Sequence, residues 1–248
     1  MIVDAHVHLG HDVVYDHTFT EQDLLPALDT HGVHAGIVQP FVVPPLHEPQ
    51  RAIHDEIHAL TLKYPGRFYG MGSLNTHCGE EFYRAEMKRC MTDLRFRGLK
   101  VHPVAHATNP NSCDGRMAFE VARELKVPIM IHTGTDNFAA PTRLFYLARE
   151  FKDIPVVMAH AGGGWFFDAI LVAKENDNVF MDMSWCPPLW CQRFIKELGA
   201  SRLMLATDHP GNVPVELHKW RTLGLSPNDL EWVLGRTAAQ VYSIPWVA

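Results

Sequence analysis

Cysteine is scarce in this 248-residue chain. Its five residues, Cys78, Cys90, Cys113, Cys186 and Cys191, are odd in number and form no C-x-x-C pair. That excludes a disulfide framework and a thiolate zinc module, and it leads us to expect reduced thiols in the cytosol. An excess of positive charge is also missing: 22 Lys and Arg against 28 Asp and Glu leave a net charge of −6. Nucleic-acid binding normally needs a basic footprint, so a small-molecule substrate fits better. The opening Met-Ile-Val-Asp-Ala-His lacks the basic and apolar regions of a signal peptide, which again points to a cytoplasmic location. The most apolar stretch, residues 154–173, is interrupted by Pro155, His160, Gly162-Gly163-Gly164 and Asp168, so no membrane span is expected.

What is present can build a core: 47% of residues are apolar and 20% charged, over a length that suits one domain across 1–248. Eight short apolar runs stand out: Ile2 to Val7, Ala35 to Val38, Phe68 to Leu74, Gly98 to Val101, Pro128 to Ile131, Pro155 to Ala159, Val179 to Met183, and Leu203 to Ala206. Their length and their Val, Ile, Leu, Met and Phe content describe strands buried on both faces. Helical stripes fall between them, with Ile53, Ile57 and Leu60 on one and Met117, Val121, Ala122 and Leu125 on another. Asp114 is a candidate cap for the second helix, and Ser226-Pro227 reads as an N-cap followed by proline. Eight strands alternating with about eight helices predict a (β/α)8 TIM barrel, typically about 250 residues long. An open doubly wound sheet would usually carry a G-x-G-x-x-G turn after its first strand. Here that place reads His-Val-His-Leu-Gly-His.

Histidine is abundant, with 16 residues scattered from His6 to His218. In such a barrel, function sits at the C-terminal strand ends. His6 and His8 share one face of the first strand, because side chains two apart point the same way. His132 closes the fifth strand, His160 the sixth and Asp208 the eighth. Imidazole and carboxylate donors without thiolate suit zinc, manganese, iron or nickel and leave a position for water. An ion of this kind brings bound water to a pKa of about 7. On the fourth strand Lys100 and His102 share a face. Arg143, Arg116 and Arg51 are candidate carboxylate clamps, and Trp185 lies just past the seventh strand. The three consecutive glycines suit either an anion or a tight turn.

The ordered set Asp4-Ala-His6-Val-His8, Gly98-Leu-Lys100-Val-His102-Pro103, His132-Thr-Gly, His160-Ala-Gly-Gly-Gly, Thr207-Asp208-His209-Pro210 and Leu234-Gly-Arg-Thr-Ala-Ala-Gln-Val-Tyr242 resembles the amidohydrolase superfamily. The branch it most resembles is amidohydrolase-related family 2, which includes aminocarboxymuconate-semialdehyde decarboxylase-like enzymes. The resemblance implies a distorted barrel holding one divalent ion, zinc foremost and manganese as the alternative, bound by His6, His8, His132 and Asp208. It also implies that Asp208 relays a proton and that His160 is an acid/base histidine, or the ligand of a second ion as in binuclear members. In those members a carboxylated lysine of the fourth strand bridges two metals; a Lys100 that pairs with Asp208 or with a substrate anion is the preferred reading. His102, Trp185 and Arg143 are taken as substrate contacts. The expected activity is hydrolysis of a small ester, lactone or amide through metal-activated water, with non-oxidative decarboxylation of a small unsaturated or aromatic acid as the alternative. Homodimers are common in this branch.

Overall fold

Period-two alternation sorts the strand side chains into two cores. In the sixth apolar run Val157 and Ala159 face one cluster, while Val156 and Met158 face the other. The computed structural model describes residues 1–134 and 136–246, so 135, 247 and 248, part of the expected 1–248 domain, lie outside the described residues. In chain order the elements are β1 (Val3–His11), β2 (Thr18–Phe19), α1 (Glu21–Thr30), β3 (Ala35–Pro40), α2 (His47–Lys63), β4 (Phe68–Gly70), β5 (Gly72–Ser73), α3 (Glu80–Thr92), β6 (Leu99–Val101) and α4 (Cys113–Leu125). They continue with β7 (Ile129–His132), α5 (Phe145–Glu150), β8 (Val156–Ala159), α6 (Phe166–Glu175), β9 (Val179–Asp182), α7 (Pro188–Leu198), β10 (Leu203–Met204), α8 (Val213–Thr222), α9 (Pro227–Glu231) and α10 (Thr237–Val241).

Two ladders run β2-β1-β3-β4 and β5-β6-β7-β8-β9-β10, parallel throughout except for the β1–β2 hairpin. Isolated backbone bonds join them. The third apolar run splits at Met71, whose N–H donates to Val38 O at 2.9 Å while the Gly72 N–H donates to Gly98 O at 3.0 Å. On the other side the Ala5 N–H reaches Leu205 O at 2.9 Å and the Asp208 N–H reaches His6 O at 2.7 Å. The result is the expected (β/α)8 barrel, distorted at its two seams. Its last strand is laddered only over Leu203–Met204, shorter than the apolar run.

The interior is packed by Val3, Ile37, Met71, Met130, Val157 and Met204, and Ala238, Val241 and Tyr242 of the C-terminal segment join the same cluster. The barrel is therefore filled, and the strand C-terminal ends are left for the site. Ile53, Ile57 and Leu60 of α2 and Met117, Val121 and Ala122 of α4 are buried as their spacing predicts. The α4 cap is a correction. Ser112 Oγ accepts the Gly115 N–H at 3.2 Å, whereas Asp114 lies inside the helix and bonds His77 Nδ1 at 2.5 Å. Ser226 caps α9 as expected, accepting the Asp229 N–H at 3.1 Å. The triple glycine answers a packing need. A Cβ on Gly163, at φ +54°, would lie 2.7 Å from Gly134 O, so two active-end loops touch backbone to backbone. Among the described residues no helix is long and apolar enough to cross a membrane, and all five cysteines are free thiols.

Candidate active site

Strand alternation in β1 brings His6 and His8 together, Nε2 to Nε2, at 2.9 Å. Asp208, in the turn after β10, places Oδ1 3.2 Å from each of these nitrogens. Its backbone is left-handed at φ +64°, a conformation that costs a non-glycine residue about 1–3 kcal/mol and persists where neighbours enforce it. Here the bond from its N–H to His6 O does so. His160 at φ +62° and Trp185 at φ +61° share this trait, so three loops hold strained residues at one mouth. Lys100 of β6, 2% exposed, donates from Nζ to His6 Nε2 at 3.2 Å. It makes no ion pair with Asp208 within 4 Å among the described residues, so the expected Lys100–Asp208 pairing is replaced by a contact with the histidine between them.

Behind this cluster lie two buried carboxylates. Asp182, at the end of β9, accepts His6 Nδ1–H on Oδ2 at 2.5 Å and the Ser184 N–H and O–H on Oδ1 at 2.8 and 2.7 Å. Asp4 accepts the Thr207 N–H and O–H at 3.0 and 2.6 Å, tying the first strand to the last. Opposite them, His160 Nδ1 meets Ser184 Oγ at 2.8 Å, and its Nε2 meets His132 Nδ1 at 3.0 Å. His132 stacks on His102 with ring centroids 3.9 Å apart. Trp185 Nε1–H donates to Asp208 Oδ2 at 2.8 Å and fixes the free end of that carboxylate.

Charge follows burial and partners. Burial, with Lys100 next in weight, pushes His6 down to about 3. Burial likewise lowers Lys100 to about 8 despite Asp182 and Asp208, and raises Asp4 to about 7 against its hydrogen bonds. Burial also opposes ionisation of Asp208 and Asp182, but the histidines around them prevail and hold both carboxyls well below the usual range. His132 and His102 lie well below the ordinary imidazole value, first through burial, then through His102 and His160 beside His132 and through Lys100 and His106 beside His102.

The donor set suits a divalent ion. Because His6 gives its Nδ1 hydrogen to Asp182, Nε2 presents a lone pair, and it faces His8 Nε2 and an ionised Asp208 Oδ1 within 3.2 Å. Among the described residues His8 Nδ1 is buried without a hydrogen-bond partner, while its Nε2 faces His6 Nε2 and Asp208 Oδ1. One ligand atom each from His6, His160 and Asp208 also lies within 4.8 Å of the others, which puts His160 within reach of the same place. Nitrogen and carboxylate donors without thiolate match zinc or manganese.

Above the cluster opens a cavity of about 370 Å³ lined by His6, His8, Lys100, His102, His132, His160, Trp185 and Asp208. Of the residues singled out from sequence, Arg143 stands apart. Its Nε donates to Asn137 O at 3.1 Å, and it does not line the cavity. Arg116 and Arg51 are engaged elsewhere, by Glu150 and Glu86. Sequence reasoning missed Asp12, Tyr15 and His17, carried by the β1–β2 hairpin, and Phe41, which stacks on His8 at 4.5 Å. It also missed Asp182 and Ser184. The signal for those two was the Asp-Met-Ser triplet at the end of the seventh run, two polar residues at the strand end where the fifth and sixth runs are followed by histidines.

The sequence matches the model of the family described as Amidohydrolase over residues 3–244. No curated protein matches it. Among solved structures it is similar to 2,6-dihydroxybenzoate decarboxylase from Rhizobium, at 17% identity, a TM-score of 0.82 and 98% of each chain covered. It is also similar to a dihydroxybenzoic acid decarboxylase from Polaromonas sp. with bound manganese and 2-nitroresorcinol, at 15% identity, a TM-score of 0.81, and 99% of this chain and 98% of that one covered. A third similar structure is an amidohydrolase from Burkholderia multivorans with bound zinc, at 13% identity, a TM-score of 0.76, and 99% and 100% coverage.

Proposed function

The chain belongs to the amidohydrolase family, and we propose that it is a metal-dependent hydrolase of a small ester, lactone or amide. The observation that carries this reading is the convergence of His6 Nε2, His8 Nε2 and Asp208 Oδ1 within 3.2 Å beneath the cavity. His6, His8, Asp208 and His132 would hold the ion. When bound, it would polarise a carbonyl oxygen and acidify a water molecule.

The protein's own groups supply the rest. Asp208 stays ionised and is steadied by Trp185, so it is the base that takes the proton of the attacking water. His160, anchored through Nδ1 by Ser184, receives that proton and returns it to the leaving group. Lys100 places a buried amine beside the carbonyl site and stabilises negative charge developing on oxygen. Phe41, Tyr15 and Trp185 form an apolar wall, and 370 Å³ suits a small substrate. No arginine lines the cavity among the described residues, which favours a neutral substrate over a dianion.

Lys100 also supports a second reading, decarboxylation of a small unsaturated or aromatic acid, since a buried ammonium suits a carboxylate; two of the similar structures are of decarboxylases. The deciding experiment assays zinc-loaded and manganese-loaded protein against panels of lactones, esters, amides and aromatic acids. Chelator-sensitive acid release from a neutral substrate is the expected result. Carbon dioxide release from the acids, with no hydrolysis, would replace the first reading by the second.

A further inference from the structure

The hydrogens around Asp182 can be placed without ambiguity. Ser184 has one hydroxyl hydrogen, and both that O–H and its N–H lie against Asp182 Oδ1, at 2.7 and 2.8 Å. Turning the hydroxyl toward His160 instead would leave two acceptor oxygens facing each other at 2.7 Å in a fully buried place, which is costly without a proton between them. Ser184 Oγ is therefore the acceptor in its 2.8 Å contact with His160, and His160 carries its hydrogen on Nδ1. The other oxygen of Asp182 takes the Nδ1 hydrogen of His6. Both imidazoles consequently leave Nε2 unprotonated: that of His6 accepts from Lys100 Nζ at 3.2 Å, and that of His160 accepts the hydrogen on His132 Nδ1 at 3.0 Å.

We infer that Asp182 is a positioning residue that fixes the tautomers of His6 directly and of His160 through Ser184, so that one buried carboxylate aligns the ligand cluster and the proton-transfer histidine together. The functional weight of this arrangement rests on the hydrolase reading, but the hydrogen placement does not. A carboxylate behind a ligating histidine raises its basicity and fixes its ring. Here the same carboxylate has a second branch, because its two oxygens face different histidines. The short Asp-Met-Ser turn at the end of β9 makes this possible, with Met183 directed into the core between the two polar side chains.

The test uses the full chain labelled with ¹⁵N-histidine, metal-free and zinc-loaded, in long-range ¹H–¹⁵N spectra that tell Nδ1–H from Nε2–H, together with zinc affinity by chelator competition. The wild type should show Nδ1–H tautomers at His6 and His160. Ser184→Ala should release the tautomer of His160 only and leave zinc affinity unchanged, while Ser184→Thr, which keeps the hydroxyl, should restore it. Asp182→Asn should disturb both rings and weaken zinc binding about 10–100-fold. An Nε2–H tautomer at either ring of the wild type, an unchanged His160 in Ser184→Ala, or unchanged zinc affinity in Asp182→Asn would overturn the proposal. Should Asp182→Asn fail to fold, the wild-type and Ser184→Ala spectra still decide it. Because no substrate is used, a failed search for hydrolysis leaves this result intact.

Discussion

Glu86→Gln should destabilise the barrel by about 3 kcal/mol at neutral pH, and two independent routes give that figure. Glu86, on α3, is fully buried and accepts Arg51 Nε at 2.9 Å, Arg89 Nε and Nη2 at 2.9 and 2.7 Å, and His54 Nδ1 at 2.9 Å. Glutamine turns one of the two oxygens into a donor, which then faces donors. Losing charge-assisted bonds of this kind costs about 1.5–3 kcal/mol. The full cost of about 3–5 kcal/mol for breaking a buried pair does not apply, because the arginine side chains are 51% and 25% exposed and keep access to water. The second route is linkage. Burial pushes the carboxyl up, but His54 and Arg89 more than reverse it and hold it at about 2 against an ordinary 4.5, which is worth about 3 kcal/mol once the group is ionised in both states.

The folded-state value lies below the unfolded one. The stabilisation is therefore fully present above about pH 4.5 and is lost as pH falls through 4.5 toward 2. Calorimetry or urea unfolding of both proteins from pH 7 to pH 3 reads this out. At pH 7 the variant should melt about 6–12 °C lower, and the gap should narrow below pH 4.5. A gap under about 1 kcal/mol, or one that does not change with pH, would show that the charge of Glu86 does not hold this network together. The network also reaches the site, since His54 Nε2 accepts the N–H of Ser73, which lines the cavity, at 3.1 Å.

His160→Ala should abolish turnover while about one ion stays bound, checked by metal analysis beside the assay; loss of bound metal would make His160 a ligand. Trp185→Phe removes the 2.8 Å bond to Asp208 and should lower kcat about tenfold or more, as expected for a charge-assisted hydrogen bond, with metal content unchanged; an unaltered kcat would remove Trp185 from the positioning of Asp208. Gly163→Ala should lower the melting temperature by several degrees, because its Cβ would meet Gly134 O at 2.7 Å and about 1–3 kcal/mol is usual for such strain. Equal melting temperatures would show that the two loops separate without cost.

The sequence was most informative where one rule governs placement. Two-residue alternation puts His6 beside His8 and Lys100 beside His102, and parallel strands carry His132, His160 and Asp208 to the same end. Those positions are local consequences of strand geometry, so the cavity gathers residues that could be named in advance. What stayed hidden depends on contacts between distant segments. Arg143 was misread because an arginine's direction is set by its loop, here by the Asn137 carbonyl. Residues 12–17 reach the mouth because β1 outruns the barrel and pairs with β2, which no apolar run announces. Asp182 became meaningful once the register from β8 to β9 was known, since that register decides which histidines a buried carboxylate meets. Ser112 displaced Asp114 as the α4 cap by a two-residue shift of the helix start, a boundary that propensity does not define.

A metal centre built from these side chains is open to a simple check, elemental analysis. Wild-type protein and His6→Ala are reconstituted with zinc or manganese, freed of excess ion and measured as metal atoms per chain. About one atom is expected in the wild type, with a clear loss in the variant. A wild type that retains none, or a variant that keeps the full complement, would contradict it.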